Sequence, residues 1–332
     1  MVRIKTYRGN NVFEALAQEW DPLAQQGMTD TPFQSLAYQQ AWWNHLGPGD
    51  LHTIAVRDES AHLLGIACFY LLEGVLYFNG CVEETDYLDL VAKAENADSV
   101  WRAVFEHLCS SPDLAWNEMS LCNIPDGSPS LEILETLAAE LGLDHKSEQI
   151  EVCPIIDLPA TFEAYLDSLD GKQRHELRRK LRRADGAGAE LTVIGPDDDL
   201  RQAVEDFLLL LQQSTIEKKE WLNEGRRAVF HDVAQEAHSN GTLQLMFLQF
   251  AGQNSAALFN FKYDGRIWVY NSGLDPTSFY KLSPGVVLTT KAIKLAIEDG
   301  YQSFDFLRGS EEYKYRFGAA DTRIFRINLS RS

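Results

Sequence analysis

Residues 270–318 organise this chain and read YNSGLDPTSFYKLSPGVVLTTKAIKLAIEDGYQSFDFLRGSEEYKYRFG. They predict the end of a strand, a loop, a helix and a second strand over 304–307 that runs into a polar cluster. Ser283 suits an N-cap and Pro284 suits the first helical position, while Gly285 lets another group approach the backbone. The stretch therefore predicts one strand-helix-strand crossover with chemistry at its two ends.

The start of this predicted helix is suited to binding an anion. Its first backbone amides, on Gly285, Val286 and Val287, have no partner inside the helix. Such a terminus attracts anions, phosphates above all. The sequence therefore predicts an anionic ligand at Ser283, Pro284 and these three residues.

Length and charge favour two domains with separate roles. The chain has 332 residues, of which 45% are hydrophobic, and a net charge of -19, which argues against a general binder of polyanions. Residues 1–150 hold 7 Lys or Arg against 23 Asp or Glu, whereas residues 151–332 hold 23 against 26. Since Pro154 and Pro159 mark a change of pattern, we predict domains over residues 1–158 and 159–332.

Several classes of protein find no support in the sequence. No apolar run reaches the roughly 18 residues of a transmembrane helix, and the N-terminus has no hydrophobic signal core. The five cysteines form no CxxC pair and the eight histidines show no grouping of metal ligands. We therefore expect a cytoplasmic protein without a metal, in which the cysteines are small buried residues of a reducing compartment.

The order of elements predicts a mixed α/β fold. Each half reads as helices, an antiparallel meander, and then a helix followed by another strand. The aromatic residues of an early helix are interpreted as core residues rather than as a ligand platform; they are Phe33, Tyr38, Trp42 and Trp43. No close sequence repeat accompanies this similarity between the halves.

These segments resemble a known group of acyltransferases. The segment SPGVVL, followed by FDFLRGSEEYKYRFG, resembles the CelD-like or BioF2-like acetyltransferase group of the GNAT superfamily, which is related to the Fem-type aminoacyl transferases. The segments PFQSLAYQQAWWNHLG, DYLDL and LRRKLRRADGAGAEL resemble that group in the same order. The resemblance covers roughly residues 30–325 and implies two tandem GNAT-like domains, each a mainly antiparallel sheet flanked by helices.

The resemblance also implies acyl transfer from a thioester to an amine, with acyl-CoA as cosubstrate. The usual pyrophosphate loop of the superfamily has Gln or Arg, two residues, Gly, one residue, and then Gly or Ala. Here the matching stretch is KLSPGV, so Pro284 replaces the first Gly and Val286 replaces the last position. The proline removes one amide that would hold a phosphate.

Polar residues at the end of the second strand supply groups for this chemistry. Asp305 is expected to face the cleft, because Phe304 and Phe306 alternate with it. Glu311 is a candidate base and Tyr313 a candidate acid for a thiolate leaving group; Arg308 and Lys314 could hold a phosphate or carboxylate. The alternative is a structural Asp305–Arg308 pair followed by a solvated turn.

Two further groups are candidates for substrate contacts. Tyr270 and Ser272 end the first strand, where an acyl group or acceptor could lie, or they only cap that strand. Residues 172–183 form a basic helix on which Arg178, Arg179 and Arg182 make an anion patch. That helix is either a solvated face docked by Leu177 and Leu181, or a site for coenzyme A phosphates, a lipid-linked substrate at a membrane surface, or tRNA.

The leading prediction is an acyltransferase that moves an acyl group, acetyl in the simplest case, from acyl-CoA to an amine. The acceptor would be a small molecule or an envelope or cell-surface polysaccharide precursor. One alternative is a Fem-type transferase that uses aminoacyl-tRNA. The other is a non-catalytic accessory protein of exopolysaccharide or cellulose production, which the proline in the phosphate loop favours.

Overall fold

The computed structural model describes residues 2–81, 84–111 and 114–331. The chain divides into two compact units, Met1–Glu151 with Thr322–Ser332, and Val152–Asp321. Residues 152–158 thus lie with the second unit, and the last strand lies with the first, because it pairs with a strand there. Both units contain a mainly antiparallel sheet with packed helices, so the mixed α/β fold class is confirmed.

The elements are numbered here in chain order. The helices are α1 (Asn11–Ala15), α2 (Trp20–Ala24), α3 (Leu36–Leu46), α4 (Ala97–Ser110), α5 (Pro129–Leu141), α6 (Phe162–Ser168), α7 (Gly171–Asp185), α8 (Leu200–Ser214), α9 (Ile216–Trp221), α10 (Glu224–Ser239), α11 (Pro284–Glu298) and α12 (Glu312–Arg316). The strands are β1 (Arg3–Arg8), β2 (Asp50–Arg57), β3 (Leu63–Leu72), β4 (Val75–Phe78), β5 (Val91–Ala92), β6 (Glu118–Pro125), β7 (Leu143–Asp157), β8 (Ala189–Val193), β9 (Leu243–Phe250), β10 (Gln253–Tyr263), β11 (Arg266–Leu274), β12 (Ser303–Asp305) and β13 (Ala320–Arg331).

The sheet of the first unit has the strand order β1-β2-β3-β4-β6-β13, with β5 beside β3. Helices α1 and α2 pack against it through a core that includes Phe13, Trp20 and Ile66. Phe33, Tyr38 and Trp42 are buried and Trp43 is partly buried against the core, which confirms that the aromatic residues of this segment are core residues.

The cysteines differ from the sequence-based expectation. Cys81 and Cys122 form a disulfide within the first unit, and Cys109 is exposed. Only Cys68 and Cys153 are buried thiols, and burial raises the pKa of Cys68 to about 12. The prediction of burial is confirmed for Cys68, Cys81, Cys122 and Cys153. It was wrong for Cys109 and for the disulfide, because spacing along the chain does not show which sulfur atoms the fold brings together.

The sheet of the second unit has the order β7-β12-β11-β10-β9-β8, to which β7 contributes its last residues. Neighbouring strands run antiparallel except for the pair of β11 and β12, which is parallel. Helices α8 and α10 cover one face, where Phe207, Phe230 and Phe259 pack together. Helices α7 and α11 cover the other face and complete the main core of this unit.

Helix α11 lies on this sheet because its apolar side chains recur at helical spacing. Val287, Leu288, Ala292, Ile293 and Ala296 are all buried against β9 and β10. The helix begins at Pro284, as the sequence predicts. Within the described residues, no helix combines the length and apolar character needed to cross a bilayer.

Candidate acyl transfer site

A wedge opens in the second unit where the two parallel strands separate. Strands β11 and β12 pair only from Arg266 to Trp268, opposite Ser303 to Asp305. Beyond this point β11 continues to Leu274. The segment after β12 instead turns away at Leu307, whose φ of 57° lies in the left-handed region. The space between the diverging segments is a cavity of about 570 Å³.

The cavity walls come from elements that are distant in sequence. One wall is the end of β11 with the neighbouring residues of β10, and another is the start of α11. Helix α9 and the segment after β12 close the remaining sides. The polar residues that face the space include Lys218, Ser272, Thr289, Glu311 and Tyr313.

The start of α11 borders the cavity with Ser283, Pro284, Gly285 and Val286. Ser283 occupies the N-cap position in the left-handed region, at φ 55°, and its side chain makes no capping hydrogen bond. The amides of Gly285 and Val286 precede the first intrahelical hydrogen bond, so this end of the helix suits an anionic ligand.

Val287, one of the five residues predicted to bind the cosubstrate, is not among the described residues that line the cavity. Its amide donates a hydrogen bond of 3.1 Å to the oxygen of Ser283, and its side chain is fully buried in the core. The third amide is therefore used inside the helix, since Pro284 has no N–H and the intrahelical pattern starts at residue 287.

Lys218 of α9 is the functional candidate that the sequence reasoning missed. Its Nζ donates hydrogen bonds to the carbonyl oxygen of Ser272 at 2.6 Å, to Oδ1 of Asn271 at 3.0 Å and to Oγ of Ser272 at 3.4 Å. Burial lowers the pKa of Lys218 to about 8, while the negative charge of Glu311 opposes this shift. A cation that titrates near neutral pH thus faces the cavity.

Glu311 and Tyr313 lie on the cavity as the sequence predicts. Glu311 forms an ion pair of 2.9 Å with Nζ of Lys314, which orients its carboxylate. The ring of Tyr313 stands edge-on to that of Phe306, with 6.1 Å between centroids. An acid and a base candidate therefore lie beside the same space.

Asp305 does not reach the cavity, contrary to the expectation that it faces a cleft. Its carboxylate is fully buried, where it pairs with Nη1 of Arg266 at 3.2 Å and accepts the amide of Leu307 at 2.8 Å. The predicted strand over 304–307 ends at Asp305, and both of its edges are paired. Alternation fails here because the three residues of β12 are all buried.

Lys314 organises the loop before α12. The buried Nζ of Lys314 donates to the carbonyl oxygens of Leu307, Arg308 and Gly309 at 3.0, 2.8 and 3.0 Å. These bonds occupy the donors that were expected to hold a phosphate. Arg308 is half-buried and is not among the described residues that line the cavity.

The two candidates at the end of β11 point to different environments. Ser272 lines the cavity and contacts Lys218. Tyr270 instead packs its ring against Phe230 and Phe261, with centroid distances of 5.2 Å to each. A shift of register between β10 and β11 at Phe259 and Asn260 skips Tyr270 and reverses the alternation.

The anion patch lies on α7, whose Leu177 is buried in the core and whose Leu181 packs against it, as one of the two sequence-based alternatives expects. Arg178 pairs with Glu163 at 2.6 Å and Arg179 with Glu176 at 2.8 Å. Nε of Arg182 donates to the oxygen of Arg178. These exposed pairs offset part of the positive charge that an anionic partner would meet.

A match to a known protein family includes most of the segments that form the cavity. Residues 171–315 match the family model described as "Acetyltransferase (GNAT) domain". These residues hold the wedge, the helix start and the segment that carries Glu311 and Tyr313. The second unit therefore contains a match to the GNAT acetyltransferase domain model, and the resemblance to the GNAT superfamily is confirmed.

Solved structures of similar fold cover nearly the whole chain. FemX aligns over 97% of this chain and 96% of its own, with 12% identity and a TM-score of 0.65. A tandem GNAT protein from the clavulanic acid biosynthesis pathway aligns over 99% of both chains, with 12% identity and a TM-score of 0.55. L-PGS from Bacillus licheniformis aligns over 87% of this chain and 90% of its own, with 11% identity and a TM-score of 0.56. Such identities show the fold, and no curated protein sequence matches the chain.

Proposed function

We propose that the chain is an N-acyltransferase that moves an acyl group from acyl-CoA to an amine in the cavity of the second unit. The observation that carries this proposal is the meeting of the α11 start with Lys218, Glu311 and Tyr313 around one space. The helix start suits the pyrophosphate of the donor, and the polar groups suit proton transfer at the thioester.

The reaction needs only these groups and no covalent enzyme intermediate. The amine nitrogen attacks the thioester carbon while Glu311 takes the proton that the amine loses, directly or through a water molecule. Protonated Lys218 stabilises the negative charge on the thioester oxygen by its positive charge rather than by a hydrogen bond, because Asn271 and Ser272 accept its three donors. The carbon–sulfur bond then breaks, and Tyr313 donates its phenolic proton to the leaving thiolate. The proton held by Glu311 then restores the phenol through water.

The proposal extends to the acceptor and the cellular setting, which the sequence resemblance supports. Acyl-CoA acts as a cosubstrate rather than as a resident cofactor. The acceptor is an amine on a small metabolite or on an envelope or cell-surface polysaccharide precursor in the cytoplasm. Among the described residues no group of His, Cys, Asp and Glu could hold a metal ion, and the proposed steps assign no role to one.

The proposal is tested by incubating the protein with free coenzyme A and acyl-CoA, and by following thioester loss with amine acceptors. A bound ligand raises the unfolding temperature, because it binds the folded form. We expect a shift with both molecules and amine-dependent release of free thiol. If neither molecule binds and the thioester is not consumed, the non-catalytic accessory role is favoured instead.

A Fem-type reaction with aminoacyl-tRNA is the second candidate, and the alignment with FemX over nearly the whole chain favours it in fold. Its sequence-based support was the patch of Arg178, Arg179 and Arg182. Retardation of aminoacyl-tRNA that is lost in the triple Arg→Glu variant would support this candidate. The absence of retardation by the unchanged protein, together with acyl-CoA turnover that persists in the variant, would exclude it.

A further inference from the structure

We propose that Lys218 is a site of self-acylation, at which the bound donor transfers its acyl group to Nζ of this side chain when no acceptor amine is present. This inference rests on the proposed acyl transfer and adds a second acceptor, which belongs to the protein itself. Lys218 lies on α9 and lines the cavity that the donor would enter. An acyltransferase for amines thus carries an amine of its own at its site.

Nζ of Lys218 is held in place without an ion pair. Its three acceptors are neutral oxygens, namely Oδ1 of Asn271 at 3.0 Å, the carbonyl oxygen of Ser272 at 2.6 Å and Oγ of Ser272 at 3.4 Å. Among the residues that the structure describes, no carboxylate pairs with it. A partly buried ammonium group without a paired carboxylate favours its neutral form. Burial lowers the pKa of Lys218 to about 8, which the negative charge of Glu311 opposes and the positive charge of Lys314 assists.

Two other lysines close to Lys218 in sequence or in space have different surroundings. Lys314 forms an ion pair with Glu311 at 2.9 Å and donates to three carbonyl oxygens of its own loop. Its side chain is 3% exposed and is not among the described residues that line the cavity. Lys219, the neighbour of Lys218 on α9, is exposed and lies outside the same lining. Of these three lysines, Lys218 is the one that presents its amine to the donor.

The neutral amine of Lys218 is suited to act as a nucleophile. Deprotonation leaves two N–H groups, which the shorter contacts to Asn271 and to the carbonyl oxygen of Ser272 can keep. The longer contact of 3.4 Å to Oγ of Ser272 is then released, and the nitrogen lone pair becomes available to an electrophile. Loss of the proton in a partly buried site is one of the ways in which proteins activate a lysine.

The step balances in the same way as transfer to a free amine. The lone pair of Nζ attacks the thioester carbon, a carbon–nitrogen bond forms, and the carbon–sulfur bond breaks. Nζ loses one proton to Glu311, directly or through water, and Tyr313 gives its proton to the thiolate. The proton on Glu311 then restores the phenol through water. The products are an acylated Lys218 and free coenzyme A.

Self-acylation removes the charge that the proposed reaction uses. The nitrogen of an acylated lysine carries no positive charge, and its acyl group occupies part of the cavity. The modified protein therefore loses activity, whereas an acceptor amine protects it by consuming the donor. The supply of acceptor relative to donor would thus set the fraction of the protein that stays active.

The test incubates the protein with acetyl-CoA, without an acceptor amine, and locates acetylated lysines by peptide mass spectrometry. We expect Lys218 to react at least tenfold faster than Lys219 and Lys314, which serve as controls in the same sample. The rate at Lys218 should saturate with acetyl-CoA and fall when free coenzyme A or an acceptor amine is added. A rate that rises linearly with acetyl-CoA and ignores free coenzyme A would contradict the proposal, because the donor would then react from solution.

The same experiment separates this inference from the proposed function. If acetyl-CoA binds and acceptor amines are acylated, but Lys218 reacts no faster than Lys219, the inference is overturned and the transferase stands. If acetyl-CoA neither binds nor acylates any amine, the proposed function fails and takes the inference with it.

The pH dependence gives a second readout. With its pKa of about 8, the neutral fraction of Lys218 increases about tenfold from pH 7 to pH 9, whereas that of a lysine with the ordinary value increases about a hundredfold. At saturating acetyl-CoA the rate at Lys218 should therefore level off above pH 8. A rate that keeps rising steeply to pH 10 would contradict the activated amine described here.

Two variants connect the modification to the loss of activity. Preincubation with acetyl-CoA alone should inactivate the unchanged protein and Lys219→Arg at the same rate. Lys218→Arg keeps a positive charge but lacks the amine, so its remaining activity should not fall during preincubation. Inactivation of Lys218→Arg at the rate of the unchanged protein would place the reactive residue elsewhere. If this variant has too little activity to follow, the acetylation rates in the unchanged protein decide.

Discussion

Nζ of Lys218 donates a 2.6 Å hydrogen bond to the carbonyl oxygen of Ser272. The bond joins the short helix α9 to β11 at the point where that strand has left its parallel partner. Because β12 no longer pairs with β11 here, the carbonyl oxygen of Ser272 accepts its hydrogen bond from a side chain instead of from a neighbouring strand. The same contact fixes a cation beside the proposed reaction site.

Stability should therefore depend on pH through Lys218. Its pKa is about 8 in the folded protein and 10.5 ordinarily, so between these values the unfolded chain binds more protons and folding becomes more favourable as pH rises. Below pH 8 the cost of burying the charge is present in full. In the unchanged protein we expect the free energy of unfolding, measured by urea titration, to rise by about 1 to 2 kcal/mol from pH 7.5 to pH 10. The Lys218→Met variant should lack this rise.

Lys219→Met is the matched control for this measurement, because Lys219 is the exposed neighbour on the same helix. It should retain the pH dependence of the unchanged protein. If Lys218→Met keeps that dependence as well, Lys218 does not titrate as described. Under the proposed function, Lys218→Met also lowers kcat for acyl transfer.

Replacing Glu311 should slow the chemical step with little effect on folding. Glu311→Gln keeps the shape and a hydrogen-bonding oxygen for Lys314, but it cannot accept the proton of the amine. We expect kcat to fall about a hundredfold or more, with KM for the donor changed little. Steady-state kinetics with an amine acceptor provides the measurement.

The adjacent residue offers a control for this loss. Glu312→Gln removes an exposed carboxylate that pairs with Arg316 and lies outside the described lining of the cavity. It should leave kcat within about twofold of the unchanged protein. Equal losses in the two variants would remove Glu311 from the role of base.

Gly285→Ala should separate donor binding from stability. The nearest atom to an added Cβ is Cδ1 of Leu274 at 3.9 Å, so the fold accepts the methyl group. Ala lowers the entropy of the unfolded chain and should stabilise the protein by about 0.5 kcal/mol. The same methyl group stands where a phosphate approaches the helix amides, so we expect coenzyme A to bind several times more weakly by calorimetry.

Gly171→Ala is the comparison for this change, since Gly171 also lies at a helix start and has no atom within 4 Å of an added Cβ. Its affinity for coenzyme A should match that of the unchanged protein. Unaltered affinity in Gly285→Ala would show that the donor phosphates bind elsewhere.

Asp305 should matter for folding rather than for proton transfer. Asp305→Asn leaves Arg266 without its charged partner and weakens the bond that holds Leu307 in the left-handed conformation. We expect a loss of about 2 to 3 kcal/mol in the free energy of unfolding, measured by denaturant titration. A stable variant with a hundredfold lower kcat would instead restore Asp305 as a catalytic candidate.

Local patterns in the sequence predicted much of the second unit. The helix from Pro284 carries its own start signal and apolar stripe, and strand β9 is a short apolar run. The positions of Glu311 and Tyr313 on the cavity also follow from the segment after the second strand. In each case the deciding information lies within a few neighbouring residues.

The remaining features depend on contacts that the sequence does not order. Lys218 and Lys219 are adjacent, and nothing in the pattern shows which of them faces the interior. The position of Tyr270 depends on the register shift between two strands, and that of Asp305 on strands that cover both edges of β12. Burial of this kind is set by partners far along the chain.

Gly273 determines how closely β11, one wall of the cavity, packs against α8. A Cβ at this position would lie 2.7 Å from Cβ of Leu210 and from the amide nitrogen of Leu211, so β11 runs directly against the backbone of α8. Any larger residue at 273 must push strand and helix apart. Selection for a different substrate size could therefore act through α8, on positions that no substrate touches.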